Sequence, residues 1–320
     1  LNVVLIVIST IRAQCRIASL FFGRRAHFDT RRRVDCGCAC GLAGEVKQAL
    51  LAGVAIGGDA PVRIMAVLNV SPESFHAGSI SADAGALREA ACRAVAEGAD
   101  LIDIGGRASA PYRQTDIPLA EEIRRITWAI ETVVKAVDVP VSADTSRASV
   151  AAAALAAGAR VINDVSGLRA DPAMADLAAL GEGVVLMASP DGEDDGDPLT
   201  QVRRLLTDSL ARAARAGIAP GEIVLDPGIG FFSTASQPAL AFNLAVLRRL
   251  EELASLDCPL LVGVSRKRFV GALTGRADPG ERLAGSLAAT TVAVLHGAAV
   301  IRTHDVGPTR DAVRVAAALR

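Results

Sequence analysis

Eight short apolar runs, six of them closing on a polar or glycine-rich tip, constrain this chain more than any other feature. The six are Ile64–Val70 with Asn69, Leu101–Gly106 with Asp103, Val139–Asp144, Val161–Asp164 with Asn163, Ile223–Asp226, and Val300–Asp305 with Arg302 and His304. Val184–Met187 and Leu260–Val264 have the same strand length. Short runs rich in Val and Ile, without strict alternation, read as strands buried on both faces. Longer Ala-, Leu-, Arg- and Glu-rich stretches of helical period separate them, and three of these close on a Gly-Ala pair: Gly98-Ala99, Gly158-Ala159 and Gly297-Ala298. Strand then helix, eight times over, predicts a (β/α)8 TIM barrel, in which functional groups gather at the C-terminal ends of the strands. The Asn, Asp, Arg, His and Lys residues of the tips fall on that end.

A barrel needs about 250 residues, so the 320 residues of this chain leave room for an extension. We expect residues 1–53 to form a poorly ordered extension and residues 54–320 to form the barrel. The start is compositionally distinct, with four of the six Cys within residues 1–44 and no acid before Asp29. Its apolar run Asn2–Ile11 precedes Arg12 and Arg16, the reverse of a secretory signal. Cys36, Cys38 and Cys40 lack the spacing and second ligand pair of structural zinc. Cys92 and Cys258 read as small core residues, and with no disulfide framework the expected compartment is reducing and cytoplasmic. A net charge of -1 with one Tyr and one Trp gives no nucleic-acid surface. No apolar run reaches the roughly 18 residues of a membrane span.

Along the barrel, Val54–Ile56 and Arg63–Val67 suggest a strand pair leading into the first strand, with the first segment plugging the barrel bottom. The loops Ser71–Ser81 and Arg107–Pro118 exceed the common two to six residues, which favours function. Ser146 is a plausible cap for the helix after the third strand. The acidic run Ser189–Pro198 reads as a solvated loop.

If the tips converge on one mouth, Asp144, Asn163 and Asp226 supply acceptors and one amide that both donates and accepts. Such a set reads a flat heterocycle edged with amino, N–H and carbonyl groups, such as a pterin or a purine. Lys267 can meet a carbonyl oxygen, and the planar guanidinium of Arg302 can stack on a ring. Asn69 and His304 can bind an anion or its metal.

At these residues the chain resembles dihydropteroate synthase, over essentially all of Val62–Arg320. The matching blocks are Met65–Phe75, Gly98–Gly106, Val141–Thr145, Val161–Gly167, Leu225–Phe231, Leu261–Lys267, Arg282–Ala288 and Ile301–Asp305. The resemblance implies condensation of 6-hydroxymethyl-7,8-dihydropterin diphosphate with 4-aminobenzoate, releasing pyrophosphate. It puts the pterin edge on Asp144, Asn163, Asp226 and Lys267, with Met187 and Arg302 flanking its faces. Asn69, Arg302 and His304 would take the diphosphate and Mg²⁺, with Asn69 as metal ligand. Phe75 and Pro111 would close over the arylamine and Ser109 would bind substrate; Arg268, beside Lys267, is our own candidate for the acidic end of the arylamine. The expected partners are these small molecules, with a homodimer as the candidate assembly.

Ala77 stands where the common pattern has Asp, Ala110 where it has an anion-binding Arg, and Arg268 where it has a Ser. The forms Ala110-Pro111-Tyr112, Met187–Pro190 and Gly230-Phe231-Phe232 look similar to the archaeal-type branch. Arg107 and Arg113 either replace the lost arginine or pair with Asp116 and Glu121 on the surface. Two further readings stay open: a non-catalytic pterin-binding paralogue, and a pterin-dependent methyltransferase on the same barrel.

Overall fold

The computed structural model describes residues 48–70, 83–107, 117–192, 196–232 and 239–320. Eight parallel strands close into a barrel. They are β3 (Arg63–Asn69), β4 (Leu101–Gly105), β5 (Val141–Asp144), β6 (Val161–Asp164), β7 (Val184–Met187), β8 (Ile223–Asp226), β9 (Leu260–Val262) and β10 (Ala298–Thr303), with β10 pairing back on β3. The expected (β/α)8 barrel is present, with helices between successive strands.

Each helix presents an apolar stripe to the barrel. In Leu119–Val133, Ile126, Ala129, Ile130 and Val133 are buried at helical spacing, and Glu122 shares that face. Gly98, Gly158 and Gly297 take positive φ of 99–111° just past a helix end. There the amides of Ala99 and Ala159 reach back to Ala94 and Ala154. The Gly-Ala pairs are therefore left-handed stops that only glycine enters without steric cost.

The interior of the barrel is layered by the two-residue period of its strands. Leu101, Val161, Val185, Val224, Leu261 and Val300 form a dry lower layer with Met65. Two residues further along each strand stand Asp103, Asn163, Met187, Asp226, Gly263 and Arg302, facing the same interior at the C-terminal end. Register sets Asn69 beside Gly105, Gly105 beside Asp144, and Asp144 beside Asn163.

An antiparallel hairpin, β1 (Ala49–Leu51) and β2 (Val54–Ile56), seals the other end. Its turn residues Ala52 and Gly53 both have positive φ, as a tight two-residue hairpin requires. Leu51 and Ile56 are fully buried in the lower layer. The plug expected from residues 54–56 is present, but its partner is β1. Pairing of Val54–Ile56 with Arg63–Val67 is excluded because both edges of β3 are occupied, by β4 and β10. A boundary after residue 53 would cut this hairpin, so the part packed on the barrel reaches back at least to Ala49.

Other local expectations change as well. The helix after β5 runs Ala148–Ala156, and Asp171 rather than Ser146 accepts from its first amide, Ala148 N, at 2.8 Å. Cys258 is buried but Cys92 is exposed, because it falls on the solvent side of its helix. In the acidic run, Asp191 holds Arg204 in two 2.8 Å hydrogen bonds, and Asp197 caps the next helix while pairing with Arg249. Residues 1–47, including Cys36, Cys38 and Cys40, lie outside the described residues. No helix among the described residues is long and apolar enough to cross a membrane.

Candidate functional site

The upper layer of the barrel concentrates charge where solvent is scarce. Asp103, Asp144, Asn163 and Asp226 are all buried, with exposures of 0–8%. Alternation decides which residue of each tip faces inward. At β6, Asn163 does so, while the adjacent Asp164 turns away and accepts from the amides of Ser166 and Leu168 at 2.7 Å.

Arg302 enters this layer from β10. Its Nε donates to Asp103 Oδ2 at 2.7 Å, and its Nη2 lies 2.6 Å from Asp103 and 2.8 Å from Asp144. Burial opposes a charge on Arg302, but Asp103 and Asp144 outweigh it and hold the guanidinium above its ordinary value. Asp103 Oδ2 also accepts from Asn163 Nδ2 at 2.9 Å. Asp103 is thus the hub of the layer, and the residue-by-residue sequence reading left it out of the site. Its signal was available, since Asp103 is a polar tip in the second strand.

Opposite, the segment after β8 folds tightly around Asp226. Gly228 N donates to Asp226 Oδ1 at 2.8 Å. A Cβ on Gly228 would come within 2.3 Å of Ala188 O, so only glycine permits this turn. Lys267 lies along Gly230, donates to Ile229 O, and sits 5.1 Å from the centre of the Phe231 ring. Burial pulls the Lys267 pKa down to about 8, against the pull of Asp226. Burial likewise raises the Asp226 carboxyl, opposed by Lys267 and by the Gly228 amide.

His304, after β10, stands at the rim. Its Nδ1 lies 3.1 Å from Ser265 Oγ. Limited solvation and the Arg302 and Arg266 guanidiniums lower its pKa to about 4, so the ring is neutral at physiological pH. The ring is exposed by area, which makes the two guanidinium charges the firmer cause. Arg266, with φ of 58°, clips this rim together by binding Asp305 through both Nε and Nη2. Asn69 ends β3, and its Oδ1 lies where a Cβ on Gly105 would be 3.1 Å away. Gly105 therefore leaves the space that Asn69 occupies.

The predicted residues Asn69, Asp144, Asn163, Met187, Asp226, Lys267, Arg302 and His304 all stand at the C-terminal ends of barrel strands or just beyond. Arg268 is exposed at the start of helix Arg268–Thr274. Phe75, Ser109 and Pro111 lie outside the described residues, as does Arg113. Asp116, one expected partner of Arg107, also lies outside the described residues. Arg107 turns toward the buried Glu122 at 3.6 Å, while Glu121 pairs with Arg124 and Arg125. Among the described residues, no group of three or more His, Cys, Asp or Glu is arranged to hold a metal ion.

Residues 65–304 match the pterin binding enzyme family. That span takes in every barrel tip described above. The chain belongs to this family. It is 39% identical over 273 residues to the dihydropteroate synthase of Mycobacterium leprae, covering 81% of this chain and 94% of that protein. The dihydropteroate synthase of Xanthomonas albilineans, solved with 4-aminobenzoic acid, superposes with a TM-score of 0.77 at 39% identity, covering 86% of this chain and 98% of that one. The same enzyme in complex with 7,8-dihydropteroate gives a TM-score of 0.74. The family resemblance read from the sequence blocks therefore holds over the barrel as a whole.

Proposed function

We propose that this chain is a dihydropteroate synthase, condensing 6-hydroxymethyl-7,8-dihydropterin diphosphate with 4-aminobenzoate or a related arylamine. The observation that carries this reading is the layer of buried Asp144, Asn163 and Asp226, with Lys267 beside them, at the C-terminal end of the barrel. It offers acceptors to the amino and N–H groups of a pterin edge and one cationic donor to its carbonyl. Met187 ends β7 opposite Asp226 in the register with β8, where it can bear on the ring.

In the reaction the bond between the pterin methylene carbon and the diphosphate oxygen breaks, and pyrophosphate leaves with the bonding pair. The methylene cation is delocalised into the ring. The arylamine nitrogen attacks that carbon and then loses a proton. Asn69, Arg302 and the neutral His304 would receive the leaving anion. Catalysis comes from stabilising that anion and positioning the amine.

Mg²⁺ suits this donor set, because it binds through few protein oxygens together with substrate phosphates and keeps several waters. Asn69 would be its protein ligand, and the ion would neutralise charge on the diphosphate. Phe75 and Pro111 are assigned to the arylamine and Ser109 to the substrates by family resemblance, while Arg268, which stands where the family has a Ser, is our own candidate for the acidic end of the arylamine. The free thiols Cys92 and Cys258 fit a cytoplasmic location. Exposed Val292, Leu295, Val315 and Leu319 on the last two helices fit a homodimer face.

The test is pyrophosphate release from the pterin diphosphate with 4-aminobenzoate and, separately, with a ribosylated arylamine. Release that depends on an arylamine, with a pteroate-type product, is expected. Pterin binding without release would indicate the non-catalytic reading, which the losses at Ala77 and Ala110 motivate.

A further inference from the structure

We infer that Asp103 is a positioning residue that fixes which way round Asn163 presents its amide, and so sets the donor and acceptor order read on the pterin edge. The inference rests on the pterin reading of this site and assigns a role that touches no substrate atom.

An asparagine amide offers an oxygen that accepts and a nitrogen that donates, and rotation by half a turn exchanges them. In an otherwise uncommitted pocket both orientations are accessible. Here the choice is forced. Asp103 Oδ2 is already held by the Nε and Nη2 of Arg302 at 2.7 and 2.6 Å, so it is the carboxylate of an ion pair and accepts only. The group that Asn163 turns toward it must be the nitrogen, and Nδ2 lies 2.9 Å from that oxygen. With Asp103 fully buried and Asn163 4% exposed, water cannot substitute for either partner. One N–H is thus committed to the protein. The oxygen and the second N–H remain for an occupant in a fixed order.

That order matters for one chemical choice. Along its N1–C2 edge a pterin presents a ring-nitrogen acceptor and an amino donor. The 2-oxo analogue, a lumazine, presents N–H and carbonyl at the same places. The two edges are mirror codes, and a flipped Asn163 amide would suit the lumazine. An aspartate at position 103 therefore selects the amino form over the oxo form through Asn163. In Asp103→Leu no acceptor at 103 holds the Asn163 nitrogen, the amide is free to turn, and the selection is lost.

The experiment measures calorimetric affinities of 6-hydroxymethylpterin and 6-hydroxymethyllumazine for wild type, Asp103→Leu, Asn163→Ala and the double variant. The pterin-to-lumazine affinity ratio is expected to fall at least fivefold in each single variant. The double variant should show the ratio of Asn163→Ala alone, because Asp103 acts through the amide. An unchanged ratio in Asp103→Leu, or an Asp103→Leu effect that persists in full in the Asn163→Ala background, would overturn the inference. If Asp103→Leu fails to fold, Asn163→Ala still decides, since retention of the wild-type ratio there removes the amide from selection. Failure of the wild-type protein to bind the pterin at all would instead refute the functional reading.

Discussion

Asp226 and Lys267 bury opposite charges in the same pocket, and burial shifts each toward its neutral form. The structure predicts two measurable consequences. Asp226→Asn removes a charged acceptor from the pterin edge and should weaken pterin binding by about 1.5–3 kcal/mol. Calorimetry on the folded variant checks this, and wild-type affinity would detach Asp226 from the site. Lys267, with its pKa near 8, is protonated below that pH and neutral above it. The ammonium is the form that meets a carbonyl, so pterin affinity should decline as pH rises through about 8. In Lys267→Met that alkaline decline should vanish along with much of the affinity. His304 titrates far from this window, at about 4, so it stays neutral across the same range.

Among the elements, the helix Leu119–Val133 does more than cover the barrel. Its fully buried Glu122 accepts from Thr145 Oγ1 at 3.1 Å and lies 3.1 Å from Arg147. Arg107 approaches the same carboxylate, so one side chain ties the start of the second loop to the residues just past Asp144. Removing one partner of a buried ion pair costs about 3–5 kcal/mol. The two arginines keep some solvent contact, which lets them rehydrate and brings the expectation for Glu122→Gln below that range, to about 2–3 kcal/mol. A thermal denaturation midpoint within a degree of wild type would show that Glu122 is not a tether. The amphipathic face of this helix was legible in the sequence. Glu122 was not, because a Glu at a stripe position looks the same whether it faces water or two guanidiniums from other elements.

For the whole molecule, the hairpin at the base sets how much chain the barrel needs. Deletion through Gly44 removes no described contact and should leave a soluble protein of unchanged activity. Deletion through Gly53 removes β1 and with it Leu51 from the lower layer. Losing one buried leucine side chain costs about 2–5 kcal/mol, so this second truncation should unfold at markedly lower temperature or fail to fold. Equal stability of the two truncations would mean that the plug is dispensable. Loss of folding in the shorter deletion would mean that residues before Ala49 also support the barrel.

The sequence by itself determined the eight strands, the order of strand and helix, the glycine stops and the set of polar tips. Each of these is local: short runs of Val and Ile, helical period, and glycine at a left-handed position are read within a few residues. The pocket residues Asp144, Asn163, Asp226, Lys267 and Arg302 were legible for the same reason, since a barrel carries every strand tip to one end. The tertiary structure decided who pairs with whom. Asp103 and Arg302 are 199 residues apart, and no local signal says that one carboxylate will hold both that guanidinium and the Asn163 amide. Nor could sequence place Val54–Ile56 against β1, because the edges of β3 are closed only when β10 returns to it. Such contacts depend on barrel closure, which brings together side chains 60 to 199 residues apart.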